Sequence, residues 1–174
     1  MLDKFAALRR AHSRARAADA SAEHIVAAAI APLDALHATY GADPSQVAQT
    51  TVGPGNVDVW LVPGSAGACL VDVEGPQGAG SGCNRASAVG AGDLWTLDTV
   101  PYGTDGAKTK VLLGAAPDGN TSVTISWADG GSTIVPVTDN IYSVPIGSHT
   151  GWTSITMNSA SGNTVTVPGM SKLP

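Results

Sequence analysis

Few side chains in this sequence can do covalent or acid–base chemistry, and the most telling are its only two cysteines, Cys69 and Cys83. Cys69 lies in the predicted strand Ala68–Glu74. Cys83 follows Gly75–Gly82, a glycine-rich stretch too short and too flexible to carry a core of its own. The pair reads as a disulfide, which for a loop of this size is worth roughly 3 kcal/mol in the chain-entropy model. Such bonds persist in oxidising compartments and are rare in the cytoplasm, so an extracytoplasmic chain is expected.

The imidazoles are His12, His24, His37 and His149. The first three fall in the N-terminal segment, and His149 sits in the loop-like run Gly147-Ser148-His149-Thr150-Gly151. A hydrolase could be assembled on paper from His149, an aspartate and either Ser148 or Ser81. No nucleophile-elbow motif is present, however, and adjacent Ser and His cannot themselves form a triad. A surface histidine is the plainer reading. Gly78–Gly82 follows a predicted strand as a phosphate loop would. It lacks the lysine of a P-loop, the third spaced glycine of a dinucleotide fingerprint and a helix after it, so a flexible loop is expected.

The turns around Asp105, Asp118, Asp129 and Asp139 could bind calcium only by converging, because no local run supplies the about six to eight oxygens that ion wants. Aspartate and asparagine are also what tight turns select for backbone reasons. Without a His/Cys cluster a zinc site has no basis. The sequence therefore assigns no cofactor, no metal ligand and no catalytic residue.

Four tryptophans remain as the best handle on binding. By the two-residue period of a strand, Trp127 joins Val123 and Ile125, and Trp95 joins Leu97, which places both in the core. Trp60 falls opposite Val57, Val59 and Leu61, and Trp152 falls opposite Ile155 and Met157. These two are candidates for an exposed face that meets a protein or a glycan. The competing reading is that both faces are buried there.

The elements that must position these residues divide the chain into an N-terminal helical segment, 1–42, and a β domain, 43–174. Leu2, Phe5 and Leu8 recur at helical spacing among arginines, which predicts a short amphipathic helix able to touch a membrane surface or to pack on its own domain. A second helix starts near Ala22 behind Ser21 and carries Ile25, Ala29, Leu33, Leu36 and Tyr40 on one stripe. Beyond it, β-branched runs separated by Gly, Pro, Asn and Asp predict strands near Val47–Val52, Val57–Val62, Ala68–Glu74, Asp93–Thr99 and Lys108–Ala115. Five more follow near Ser122–Ala128, Ser132–Val137, Ile141–Val144, Thr153–Asn158 and Thr164–Val167. Asp129-Gly130 between two of these runs predicts a hairpin.

A formal net charge of −5 is unevenly placed, with Lys4, Arg9, Arg10, Arg14 and Arg16 crowding the start and aspartates dominating after Ala42. An acidic β region without a Lys/Arg stripe argues against nucleic acid as a partner. No apolar stretch approaches a membrane span. Ile25–Leu33 fits a signal peptide poorly because acidic residues surround it, and an ordinary small-residue helix is the plainer reading; export would require either a leader removed ahead of Met1 or this segment serving as one.

Several of these runs resemble uncharacterised secreted or cell-surface proteins of high-GC actinobacteria. The similarity rests on Pro117-Asp118-Gly119 leading into Val123-Thr124-Ile125, on Ala128-Asp129-Gly130, and on Val135-Pro136-Val137-Thr138-Asp139-Asn140. It extends to Val59–Gly64 with the paired cysteines, and to Phe5–Arg10 with Ala17–Ala20. The resemblance implies origin and compartment, and no activity.

Together these readings predict a mainly β, antiparallel domain, sandwich-like or partly barrel-like, with one or two short N-terminal helices. The expected function is a non-enzymatic binding or display domain of the cell envelope, its partner an unidentified protein or glycan. The alternatives are a small hydrolase using His149, and a structural protein that self-associates through open sheet edges.

Overall fold

The structure is a computed structural model and describes residues 4–6, 39–43, 48–52, 57–73, 79–101 and 108–173. It is mainly β, built from antiparallel sheets that do not close into a barrel. The first sheet orders its strands β1 (Ala48–Val52), β2 (Val57–Pro63), β3 (Gly67–Val73) and β4 (Ala79–Arg85). A five-residue helix, α1 (Ala86–Gly90), leads to β5 (Trp95–Pro101), β6 (Lys108–Ala115), β7 (Asn120–Trp127), β8 (Ser132–Pro136) and β9 (Ile141–Pro145). Last come β10 (Trp152–Ser159) and β11 (Thr164–Pro168). The second sheet runs β11-β10-β7-β8 and the third β5-β6-β9.

Five strands end on the same dipeptide: Val62-Pro63, Val100-Pro101, Val135-Pro136, Val144-Pro145 and Val167-Pro168. Valine suits the pleat, and proline has no N–H to continue the ladder, so each pair stops its strand.

The three-stranded sheet is buried on both faces. Val111, Leu113 and Ala115 of β6 pack with Val59, Leu61, Ala68 and Leu70 of the first sheet. Leu112 of the same strand, with Tyr142 and Val144, packs with Val123, Ile125, Ile155 and Met157 of the second. This explains the continuous apolar run of β6, where alternation would be expected of a half-buried strand. Phe5 joins the first cluster, so this residue is anchored in the β core. Its neighbours hold it there: Asp118 N donates to Lys4 O at 2.8 Å, and Ala6 N donates to Asp118 Oδ1 at 2.7 Å. The remainder of both predicted N-terminal helices, apart from Lys4–Ala6 and Thr39–Asp43, lies outside the described residues.

The Cys69–Cys83 disulfide is present as expected, and one expectation about the region around it is revised. From Ala79 the glycine-rich stretch is not a flexible loop but β4, paired with β3 in the register Cys69↔Cys83, Leu70↔Gly82 and Asp72↔Gly80; the residues before it lie outside those described. The disulfide is therefore a cross-strand staple, with a Cα–Cα separation of 4.0 Å. The glycines permit close packing. A Cβ on Gly82 would strike the Trp95 carbonyl of β5, and one on Gly80 would meet the carboxylates of Asp72 and Asp98. β4 lies against β5 only because those side chains are missing.

The second sheet is an internal duplicate. The hairpin β7–β8 and the hairpin β10–β11 match at Gly119/Gly151, Thr121/Thr153, Ser122/Ser154, Thr124/Thr156, Ala128/Ala160, Gly130/Gly162, Val135/Val167 and Pro136/Pro168, all at one constant spacing. Their registers match as well, Val123↔Val135 in one and Ile155↔Val167 in the other. The copies meet through β7 and β10 about a pseudo-twofold axis at the pair Thr124↔Thr156. The axis relates individual hydrogen bonds. Ala128 N donates to Gly151 O at 2.9 Å as Ala160 N does to Gly119 O at 3.1 Å, and Val137 N to Thr121 O at 3.0 Å as Gly169 N to Thr153 O at 3.0 Å.

Candidate functional site

The side chains able to do chemistry gather at one end of the duplicated sheet. Trp127 closes β7 on its inward side, and its Nε1 donates to Thr133 Oγ1 of β8 at 2.9 Å. The His149 ring lies flat on the indole, centroids 4.1 Å apart and planes at 6°. Asp129, on the β7–β8 turn, holds that ring through Nδ1 to Oδ1 at 2.8 Å. The turn can present its carboxylate because Gly130 and Gly131 take positive φ, which a larger residue resists. The loop carrying His149 is fixed in turn by His149 N donating to Ile146 O at 3.1 Å.

Chemically this is a carboxylate-oriented imidazole on an aromatic platform. His149 is 32% exposed and Asp129 37%, so their pairing contributes only about 0–1 kcal/mol to stability. The arrangement contains the acid and the base of a triad. Among the described residues the only side chain hydrogen-bonded to His149 is Asp129, and neither Ser148 nor Ser81 joins it. Ser81 lies on β4 in another sheet. No group of three His, Cys, Asp or Glu able to hold a metal ion occurs among the described residues, and Asp105 lies outside them.

The proposed tryptophan face is corrected. Trp60 is 4% exposed and Trp152 is fully buried. Trp60 packs with Val62, Cys69 and Val71, because the first sheet buries this face as well as the one carrying Val59 and Leu61. Trp152 turns inward because a bulge at Thr153 shifts the register between Trp152 and Ser154. That extra residue reverses the parity on which exposure was predicted. Trp152 then meets Trp95 edge to face, centroids 5.1 Å apart. Trp95 Nε1 donates to Asp93 Oδ1 at 3.2 Å, and Asn84 Nδ2 donates to Asp93 Oδ2 at 3.2 Å.

The surface that is open is the outer face of the duplicated sheet. Ser122, Thr124 and Ser126 of β7 lie beside Ser154, Thr156 and Asn158 of β10. The edge strands continue the rows: Ile134, Thr124, Thr156 and Thr166 form the central one. Ile134 is 67% exposed. Thr156 and Thr166 share a hydroxyl hydrogen bond of 2.9 Å, and Asn158 Nδ2 donates to Thr124 Oγ1 at 2.9 Å. These bonds hold the hydroxyls in fixed positions. No ionisable side chain falls in the central row or in the flanking rows Ser132–Ser126–Ser154–Pro168 and Pro136–Ser122–Asn158–Thr164.

No family model, no curated protein and no solved structure matches the chain.

Proposed function

We propose that this chain is a non-enzymatic binding domain of the cell envelope, an open β-sandwich that offers the hydroxylated outer face of its duplicated sheet to a neutral glycan. The observation that carries this reading is the absence of ionisable side chains from all three cross-strand rows of that face. A polyhydroxylated partner without charge forms neutral hydrogen bonds with such a grid and gains nothing from ion pairing. Exposed Ile134 and the edge prolines add apolar contact. The Cys69–Cys83 bond supports the extracytoplasmic compartment, as does the resemblance to actinobacterial surface proteins. No helix among the described residues is long and apolar enough to cross a membrane.

The test is retention on immobilised dextran, mannan and galactan, with Thr124→Glu and Thr156→Glu as variants that place charge at the centre of the face. Wild type is expected to be retained by at least one polysaccharide, and folded variants to bind it at least about tenfold more weakly. Equal retention of all three proteins, or none of wild type, contradicts the proposal.

The hydrolase alternative draws on one observation, the 2.8 Å contact between His149 and Asp129. Turnover of an activated ester that His149→Ala abolishes would favour it over the binding reading.

A further inference from the structure

The pseudo-twofold axis gives the Trp127 cluster a counterpart at the opposite end of the sheet, and there the large residues are replaced by small ones. Ser159 stands where Trp127 stands, Ser161 where Asp129 does and Val165 where Thr133 does. Pro117 precedes Gly119 as His149 precedes Gly151, and Asn120 takes the place of Trp152. The turn hydrogen bonding recurs at both ends. Gly162 N donates to Ser159 O at 3.1 Å as Gly130 N does to Trp127 O at 3.2 Å, and Gly162 and Gly130 both take positive φ.

The consequence is a cleft of about 480 Å³ at the second end, where the first is filled by an indole and an imidazole. Its apolar wall is Ala91, Met157 and Val165, and its rim is Asp118, Asn120, Ser161 and Asn163, with the Asp118 carboxylate already engaged by Ala6 N and Asn140 Nδ2. Val165 is 48% exposed, one of two large hydrophobic side chains so exposed among the described residues. Its counterpart Thr133 is covered by the Trp127 indole, whose N–H it accepts. An apolar side chain is thus left open at the place its twin is capped by an aromatic ring.

We propose that this cleft is a binding site for a single uncharged aromatic ring, free or carried on a peptide, that seats where Trp127 seats in the other copy. Pro117 supplies the flat contact that His149 gives Trp127. Because Val165 replaces Thr133, the wall has no hydroxyl for an indole N–H, and the ring is held by apolar contact. The site lies apart from the hydroxylated face, so its fate is independent of glycan binding.

The experiment is an NMR titration of the oxidised protein with indole and, separately, with N-acetyltryptophanamide, reading the methyl signals of Met157 and Val165. Saturable shifts at both are expected, and the stronger of the two probes identifies whether the ring is taken free or peptide-borne. Ser159→Trp fills the cleft as the first copy does and is expected to weaken binding at least about tenfold while the fold is kept. Val165→Asp, which places charge on the apolar wall, is expected to do the same and decides the matter if Ser159→Trp does not fold. Absence of shifts with both probes overturns the proposal, as do shifts that persist unchanged in a folded variant.

Discussion

Tyr142 lies over Gly114, whose missing side chain leaves room for the phenol, and both belong to the row that continues to Trp95. Burial, and then the nearby Asp93 carboxylate, hold its ionisation well above the ordinary range for tyrosine. A folded-state value raised above the unfolded one means stability that is intact below about pH 10 and is lost as pH rises beyond it, since only the unfolded chain then gains by ionising. Among the described residues none accepts from the hydroxyl. Tyr142→Phe is therefore expected to leave neutral-pH stability within about 1 kcal/mol of wild type. The variant should also flatten the alkaline loss, as urea melts at pH 8 and pH 10.5 will show. A large loss at neutral pH would mean that the hydroxyl has a partner. Sequence parity placed Val123, Ile125 and Trp127 inside correctly, because β7 keeps its two-residue period across them. The same rule failed at Trp152, where a single extra residue at Thr153 inverts the faces and leaves no compositional trace.

Among the elements, the β7–β8 hairpin was legible from Asp129-Gly130 and its alternating flanks, and the register bears this out. β4 was not. Gly80, Ser81 and Gly82 have neither β-branching nor alternation, and what makes them a strand is distant: the partner β3 on one side and the β5 backbone pressed on their missing side chains. Local propensity cannot register such contacts. Gly82→Ala is accordingly expected to cost about 1–3 kcal/mol, because the added methyl meets the fixed Trp95 carbonyl. Thermal unfolding measures this, and an unchanged midpoint would show that β4 and β5 are not in close apposition. The Val-Pro endings of five strands, by contrast, stand in the sequence and mark strand ends closely.

At the scale of the molecule, the duplication of the second sheet was also open to reading, in the constant spacing of Thr121-Ser122 from Thr153-Ser154 and of Val135-Pro136 from Val167-Pro168. What it does to the surface needed the fold: a charge-free face that crosses the axis, and two ends that differ in whether aromatic rings fill them. The staple in the first sheet bears on compartment. Protein purified from an oxidising compartment without reductant is expected to show no thiol that reacts with iodoacetamide by intact mass, and two after reduction. Two reactive thiols before reduction would remove the basis for the extracytoplasmic reading. The most direct test of the account is to map amide shifts of the oxidised protein on titration with a neutral oligosaccharide cut from the best-retaining polysaccharide. Shifts that gather at Thr124, Thr156 and Thr166 and vanish in Thr156→Glu are predicted. Shifts gathered instead around His149, or none anywhere on the duplicated sheet, would contradict the assignment of its outer face as the binding surface.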